Sequence, residues 1–400
     1  MSSAPAGLIL LTILLAGTVH AVDVSGIIKP EFSITDQPCS DSSFRYVFQA
    51  PLRLTFHNRA GRTDMNAAWV VSPSAGNPAL SGIRLETFTQ VFRIFDVKSR
   101  ILPSGWDGTE SFSVTQNLDR MNIGIRFPIA TITAGRQAIY WGVAKSVSPT
   151  DFIAPIQYGN VDTDYRAGVD AVRSVFPVGV MSELDAGFVF GKNARFSESG
   201  CWIRGRFYIL QTDATILAAC FRENFMIGGS LNRSIGAGTG WVECAAVSTD
   251  AFSEENDGCK QNFWSVSAGY DRSWMNASLY GYLEYHFSSP GSDNPEDYPQ
   301  ILNSPAFTEA STYLLARHYL CPGLSWTLNP LVNINANALV NLTDLSAYIS
   351  LSGEYSVLED MVLRLGFSRG TGKRSCLNGV PESEFGSWPG VCFLSSGYYF

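Results

Sequence analysis

With 400 residues, 46% hydrophobic and 16% charged side chains and a formal charge of −8, the chain has enough apolar residues to bury a large core. It lacks the basic face that nucleic acid requires, so no nucleic-acid partner is expected. After Val22 no apolar run approaches the roughly 18–20 residues of a membrane helix, and no linker or charge block divides the remainder.

Residues 1–21 read as a signal peptide. Gly7 to Val19 is apolar, and Val19-His20-Ala21 places small residues ahead of a cut before Val22, although the segment has no Lys or Arg at its start. Residues 22–400 are then one exported unit. Gly26–Ile34 leads in. Leu52, Leu54 and Phe56 alternate with Arg53, Thr55 and His57, and Asn66–Val71 pairs back after Asn58-Arg59-Ala60-Gly61. Pro73–Pro78 reads as a turn and Ile83–Val97 as a long, less regular strand, followed by a polar loop through Trp106-Asp107-Gly108. Met121, Ile123, Ile125 and Phe127 oppose Arg120, Asn122, Gly124 and Arg126, in a hairpin that turns at Phe127-Pro128 and returns through Ile129–Trp141. Residues 143–162 show no alternation and form a long loop.

Further strands are expected over 163–175, 180–191, 201–210, 214–221, 225–233, 238–247, 261–270 and 273–287, and a loop over 288–306. An element over about 307–328 is interrupted at Cys321-Pro322-Gly323. In the closing strands, Val332, Ile334, Ala336, Ala338 and Val340 oppose Asn333, Asn335, Asn337 and Asn341. Ile349, Leu351 and Tyr355 oppose Ser350, Ser352 and Glu354, and Leu363, Leu365 and Phe367 oppose Arg364, Gly366 and Ser368. Each run therefore has one oily and one wet face. Tight turns at Phe176-Pro177, Asp271-Arg272, Asn329-Pro330 and Leu358-Glu359-Asp360 fall on one side, and long polar loops on the other.

The final Tyr398-Tyr399-Phe400 resembles the closing strand of Gram-negative outer-membrane β-barrels. The resemblance implies an all-β, antiparallel up-and-down transmembrane barrel of 16–18 strands in a single chain, with its oily face on lipid and its wet face on a lumen. A second likeness lies in Ala134-Gly135-Arg136-Gln137 with Trp141-Gly142 and Ser148-Pro149-Thr150-Asp151. This run is similar to the Gly-Arg-Gln, Trp-Gly and Pro-Thr-Asp run of porin-like outer-membrane barrels, and Asn341-Leu342-Thr343-Asp344 with Ser346 resembles a late hairpin loop in them.

Trp141 suits a membrane interface. If the loop after it folds inward, Lys145, Asp151, Asp162, Asp164 and Arg166, with Arg136, are candidates for a charged constriction; the alternative is an external loop packed on its neighbours. Arg53, Arg120, Arg126, Arg204, Arg206 and Arg364 share the wet parity. They either favour anions or brace the wall through carboxylate partners. All eight cysteines lie in the exported part without zinc spacing, so disulfides are the default in an oxidising compartment. Cys244 with Cys259, and Cys376 with Cys392, bracket loops that a bridge would brace.

The reading is passive diffusion of small hydrophilic solutes or ions through a Gram-negative-type outer membrane, with membrane lipid outside, no enzyme activity, no metal and no cofactor. Trimerisation follows only from the habit of general porins. One alternative is a closed structural or surface-interaction barrel without transport. The other is an outer-membrane lipid-acting enzyme, disfavoured because His57, His286 and His318 stand outside any recognisable nucleophile motif.

Overall fold

The computed structural model describes residues 22–36, 44–77, 92–97, 100–103, 111–154, 166–252, 260–308, 310, 313–374 and 382–400. Among these residues, 21 hydrogen-bonded segments form one sheet. Two pairs of segments are single staves broken at proline, and Arg100–Leu102 is a short extra rung, which leaves 18 staves. The first is β1 (Asp23–Ile28 continued by Glu31–Thr35) and the second β2 (Arg45–Gln49 continued by Leu52–Ala60). β3 (Thr63–Gly76), β4 (Phe112–Arg126), β5 (Thr131–Gln137), β6 (Val169–Pro177), β7 (Glu183–Val189) and β8 (Gly200–Ile209) follow. Next come β9 (Thr212–Phe221), β10 (Asn224–Ile235), β11 (Gly238–Ser248), β12 (Asn262–Trp274) and β13 (Leu279–Ser288). The last five are β14 (His318–Asn329), β15 (Val332–Asn341), β16 (Ala347–Leu358), β17 (Met361–Thr371) and β18 (Val391–Tyr399).

Neighbours pair antiparallel throughout, and β18 returns to β1 through Ile27↔Tyr399 and Glu31↔Ser395, so the sheet has no free edge. The breaks in the first two staves fall at Pro30 and Pro51, where the missing N–H interrupts the ladder. The fold class implied by the resemblance is the one observed, at the upper strand number.

Exposure is inverted relative to a protein with a dry core. Ile216 (67% exposed) and Leu365 (58%) point outward, while Glu243, Glu284 and Asp185 are fully buried inside. An outward charge at mid-depth would cost about 2–4 kcal/mol in lipid, and an inward one far less where water reaches it.

Several elements differ from expectation for identifiable reasons. Pro73–Gly76 belongs to β3, because Pro73 has no N–H to give but its carbonyl still accepts from the Ala50 N–H. Of 83–97, only 92–97 lies among the described residues; it is not a strand, and Phe92 is buried in the interior. Asp271-Arg272 is strand and not turn, since the Asp271 carboxylate faces inward, accepting from Tyr280 Oη and the Thr239 N–H. The turn is at 275–278, where Met275, Asn276 and Ala277 take positive φ. β14 runs through Cys321-Pro322-Gly323 without interruption and starts only at His318; Leu314, Leu315 and Ala316 before it are buried loop residues.

Candidate functional site: the lumen and its inward-folded loop

The segment from 138 to 154 leaves β5 and folds into the barrel, as the inward alternative for this loop required. Two glycines set its path. Gly135 has φ +110°, and a Cβ there would lie 2.3 Å from the Met121 carbonyl oxygen. The local reversal of handedness breaks the alternation, so consecutive Arg136 and Gln137 are both buried. Gly142 has φ +98°, and a Cβ there would meet Ser148 Oγ at 2.2 Å.

Arg136 spends every donor. Nε and Nη2 form a bidentate pair with Asp170 (2.7 and 2.9 Å), Nη1 donates to Leu118 O (2.9 Å) and Asp96 (3.3 Å), and Nη2 also donates to Phe95 O (2.6 Å). It ties the 92–97 segment to β4 and β6 and presents no free charge to a pore.

Two glutamates that sequence reasoning missed hold the loop. Glu243 on β11 accepts from the N–H groups of Val143 (2.7 Å), Ala144 (2.9 Å) and Thr150 (3.0 Å) and from the hydroxyls of Ser148 (2.6 Å) and Thr150 (2.7 Å). Glu284 on β13 accepts from the N–H groups of Lys145 (2.6 Å), Ser146 (3.0 Å) and Val147 (3.0 Å) and from Trp241 Nε1 (2.9 Å). A carboxylate that accepts several N–H bonds is compensated for burial without any cation. The sequence signal was one acidic residue at wet parity on each of two strands.

The other constriction candidates separate. Asp151 is buried against Arg166 (2.8 Å), and burial lifts its carboxyl to about 7 against the opposing pull of that guanidinium. Arg166 remains partly open and lies over the Tyr140 ring. Lys145 is the more open cation, 3.8 Å from Asp271 and over Trp241. Asp162 and Asp164 lie outside the described residues. Trp141 is not at a membrane interface: it is buried against Phe152 and Trp202, because the loop carries it inward.

All six wet-parity arginines face carboxylates. Arg53 and Arg120 share Asp119 (2.6 and 2.8 Å), and Arg126 meets Asp64 (3.1 Å). Arg204 meets Glu183 (2.5 Å), Arg206 meets Asp213 (3.2 Å) and Arg364 meets Glu354 (2.8 Å). This is the wall-bracing alternative.

Nearer the outer rim the interior is packed. Phe92, Trp141, Phe152, Trp202, Phe221 and Phe263 form one apolar cluster, and Tyr298, Leu314, Tyr319, Leu339, Tyr348 and Phe385 another. The second cluster is organised by the Asn341–Asp344 run. Asn341 Nδ2 donates to Tyr298 Oη and Glu384 Oε2 (both 2.9 Å), Tyr319 Oη donates to Glu384 Oε2 (2.5 Å), and the Leu315 N–H donates to Glu384 Oε1 (2.9 Å). Burial raises the Glu384 carboxyl to about 7, with the nearby Asp344 adding to the rise, against the opposing pull of the donors from Tyr319, Leu315 and Asn341.

The histidines are wall residues. His57 pairs with Asp64 and His318 with Tyr285. His286 is buried 2.8 Å from Ser267 Oγ, but that hydroxyl also lies 2.5 Å from the Val147 carbonyl and is itself buried, so the pair lacks the access a nucleophile needs. Cys244 and Cys392 are exposed on β11 and β18; the partners expected for them, Cys259 and Cys376, lie outside the described residues.

A closed 18-stave barrel with buried carboxylates inside and exposed aliphatic chains outside defines the class: an outer-membrane-type β-barrel narrowed by a loop folded into its lumen. Comparison with protein-family models and with curated proteins gives no match. Among solved structures the chain is similar to Pseudomonas aeruginosa OccK5 (OpdH), with a TM-score of 0.59 at 9% identity over 96% of this chain and 99% of that one. Acinetobacter baumannii OccAB4 gives a TM-score of 0.59 at 7% identity over 96% and 99%. The outer membrane protein OpdK of Pseudomonas aeruginosa gives 0.54 at 10% over 96% and 100%. The fold is that of these barrels, reached with an almost unrelated sequence.

Proposed function

We propose that this chain is an outer-membrane channel for passive diffusion of small hydrophilic solutes or ions. One observation carries the reading: charged side chains and a pinned loop line the inside of a closed barrel whose outside is oily. The comparison structures support it, and one of them is OpdK with vanillate, a small organic solute. No chemical step or cofactor enters. Solute size is limited by the pinned loop, and the lumen-facing charges nearest to it are Lys145 and Arg166. Because each of the six wall arginines stands against a carboxylate, the anion preference they would otherwise confer is largely cancelled. We expect reversal potentials close to zero in a salt gradient.

In this reading residues 1–21 are removed on export and 22–400 form the barrel; Cys244–Cys259 and Cys376–Cys392 bridges and homotrimeric assembly remain parts of the proposal. Swelling of proteoliposomes in isotonic solutes of graded size tests it: rates should fall steeply with solute size, and absence of swelling in the smallest solutes would refute it. The apolar packing of the outer half favours the second reading, a closed surface barrel, which the same absence of swelling would support.

A further inference from the structure

Beneath the pinned loop, toward the short-turn side, the wall strands β8, β9 and β10 enclose a recess of about 200 Å³. At about 30 Å³ per water-sized group this holds roughly seven such groups. Arg204, Arg206, Asp213, Thr215, Ser230 and Asn232 line it, with Tyr140 and Trp141 closing one side. Two of these lining residues also carry a buried side-chain atom with no hydrogen-bond partner, Arg204 Nε and Asn232 Oδ1, which a solute would reach once those side chains shift. A buried unpaired donor or acceptor costs about 1–3 kcal/mol; the two residues lie two strands and four residues apart in register, so separate hydroxyls of one solute would have to meet them. Each cation here already faces an anion, Arg204 with Glu183 and Arg206 with Asp213.

A carboxylate at Arg204 Nε would stand beside those two carboxylates. A hydroxyl accepts from Nε and donates onward, and a second satisfies either end of the Asn232 amide. Tyr140, the exposed aromatic on that side, suits the C–H face of a sugar ring. Resting on the channel reading, we propose that this recess is a binding subsite for a small neutral polyhydroxylated solute, a sugar or polyol, and not for its acid.

The test uses the full-length protein in detergent and a matched pair of probes, D-ribose and D-ribonate, followed by saturation-transfer NMR and by block of current in planar bilayers. Ribose should bind saturably and ribonate at least tenfold more weakly. Asn232→Leu and, as a milder change, Ser230→Ala should each weaken ribose several-fold. Equal or tighter ribonate binding, or ribose binding indifferent to both substitutions, would overturn the subsite while leaving conduction intact. Ribose binding by a protein that never conducts would overturn the channel reading and leave the subsite standing.

A second observation is independent of the lumen. Cys201 on β8 and Cys220 on β9 are direct cross-strand partners, and their thiols share a hydrogen bond. Both lie on the outward face close to the outer rim, beside Phe188 and Phe225 of the adjoining strands. Directly opposed residues of an antiparallel pair have Cα atoms about 4.5–5.5 Å apart, within the span of a disulfide. We infer that this pair is oxidised in an exported protein. Each thiol loses a proton, one S–S bond forms, and the two electrons pass by thiol–disulfide exchange to an acceptor disulfide, which becomes two thiols.

The protein is taken from membranes into N-ethylmaleimide without reductant and digested with trypsin. The peptides 196–204 and 207–222 should be recovered joined and two hydrogens lighter than their sum, and Cys201→Ser should abolish the joined species. Recovery of both peptides separately alkylated would overturn the inference.

Discussion

Replacing Glu243 by glutamine keeps the side chain's shape and removes half of its accepting capacity. Oε1 takes three donors and Oε2 two, so an amide NH2 does least harm at the Oε2 position, where it faces the Val143 and Ala144 N–H groups. Two half-buried donors are then unpaired, at about 1 kcal/mol each, the low end of the range for buried donors. A total of about 2 kcal/mol shifts the equilibrium between pinned and released loop by roughly thirtyfold. The barrel wall is untouched, because the β11 ladder is made by main-chain groups. In single-channel recordings Glu243→Gln should therefore keep its insertion frequency but show larger mean conductance and open-state noise. Adding Glu284→Gln should extend the effect. Wild-type conductance and noise in the double substitution, with the barrel folded, would refute the idea that these carboxylates hold the constriction.

Other outcomes follow from the same geometry. Gly135→Ala forces a side chain into a left-handed position against Met121 O, at about 1–3 kcal/mol for the conformation alone; the midpoint of its heat-induced gel-mobility shift should fall. For Glu384 the folded value of about 7 lies above the ordinary carboxyl value, so its contribution is fully present below about pH 4.5 and is lost as pH rises through about 7. Protease cleavage within 372–390 should accordingly increase over that window in wild type, and Glu384→Gln should flatten the dependence. Ile216→Arg places a charge on the lipid face of β9 and should cost about 2–4 kcal/mol in refolding into liposomes, whereas the same change in a lumen-facing residue such as Ser352 should cost much less.

The strands were legible where alternation is uninterrupted. The last four staves lie within a few residues of their expected limits, and in the first three of them one face is apolar and the other polar. The inward loops carry no such period. Phe92 and Leu314 look like strand residues in a sequence but pack in the lumen. Arg136 and Trp141 could be singled out as a motif, yet what they touch depends on a glycine reversal that hydrophobic pattern does not record. The hydrogen-bond partners of Glu243 and Glu284 in the loop lie 93 to 139 residues away, so a single acidic residue in a strand gives no hint of its task until the barrel is closed. For the arginines, parity showed which way they face, and only the register showed the carboxylate opposite each.

The most direct test of the whole account is stepwise conductance of the purified, refolded protein in a planar lipid bilayer. Discrete, salt-dependent current steps with weak ion selectivity are predicted. A correctly folded barrel that inserts and never conducts would contradict it, and would leave a closed surface protein in place of a channel.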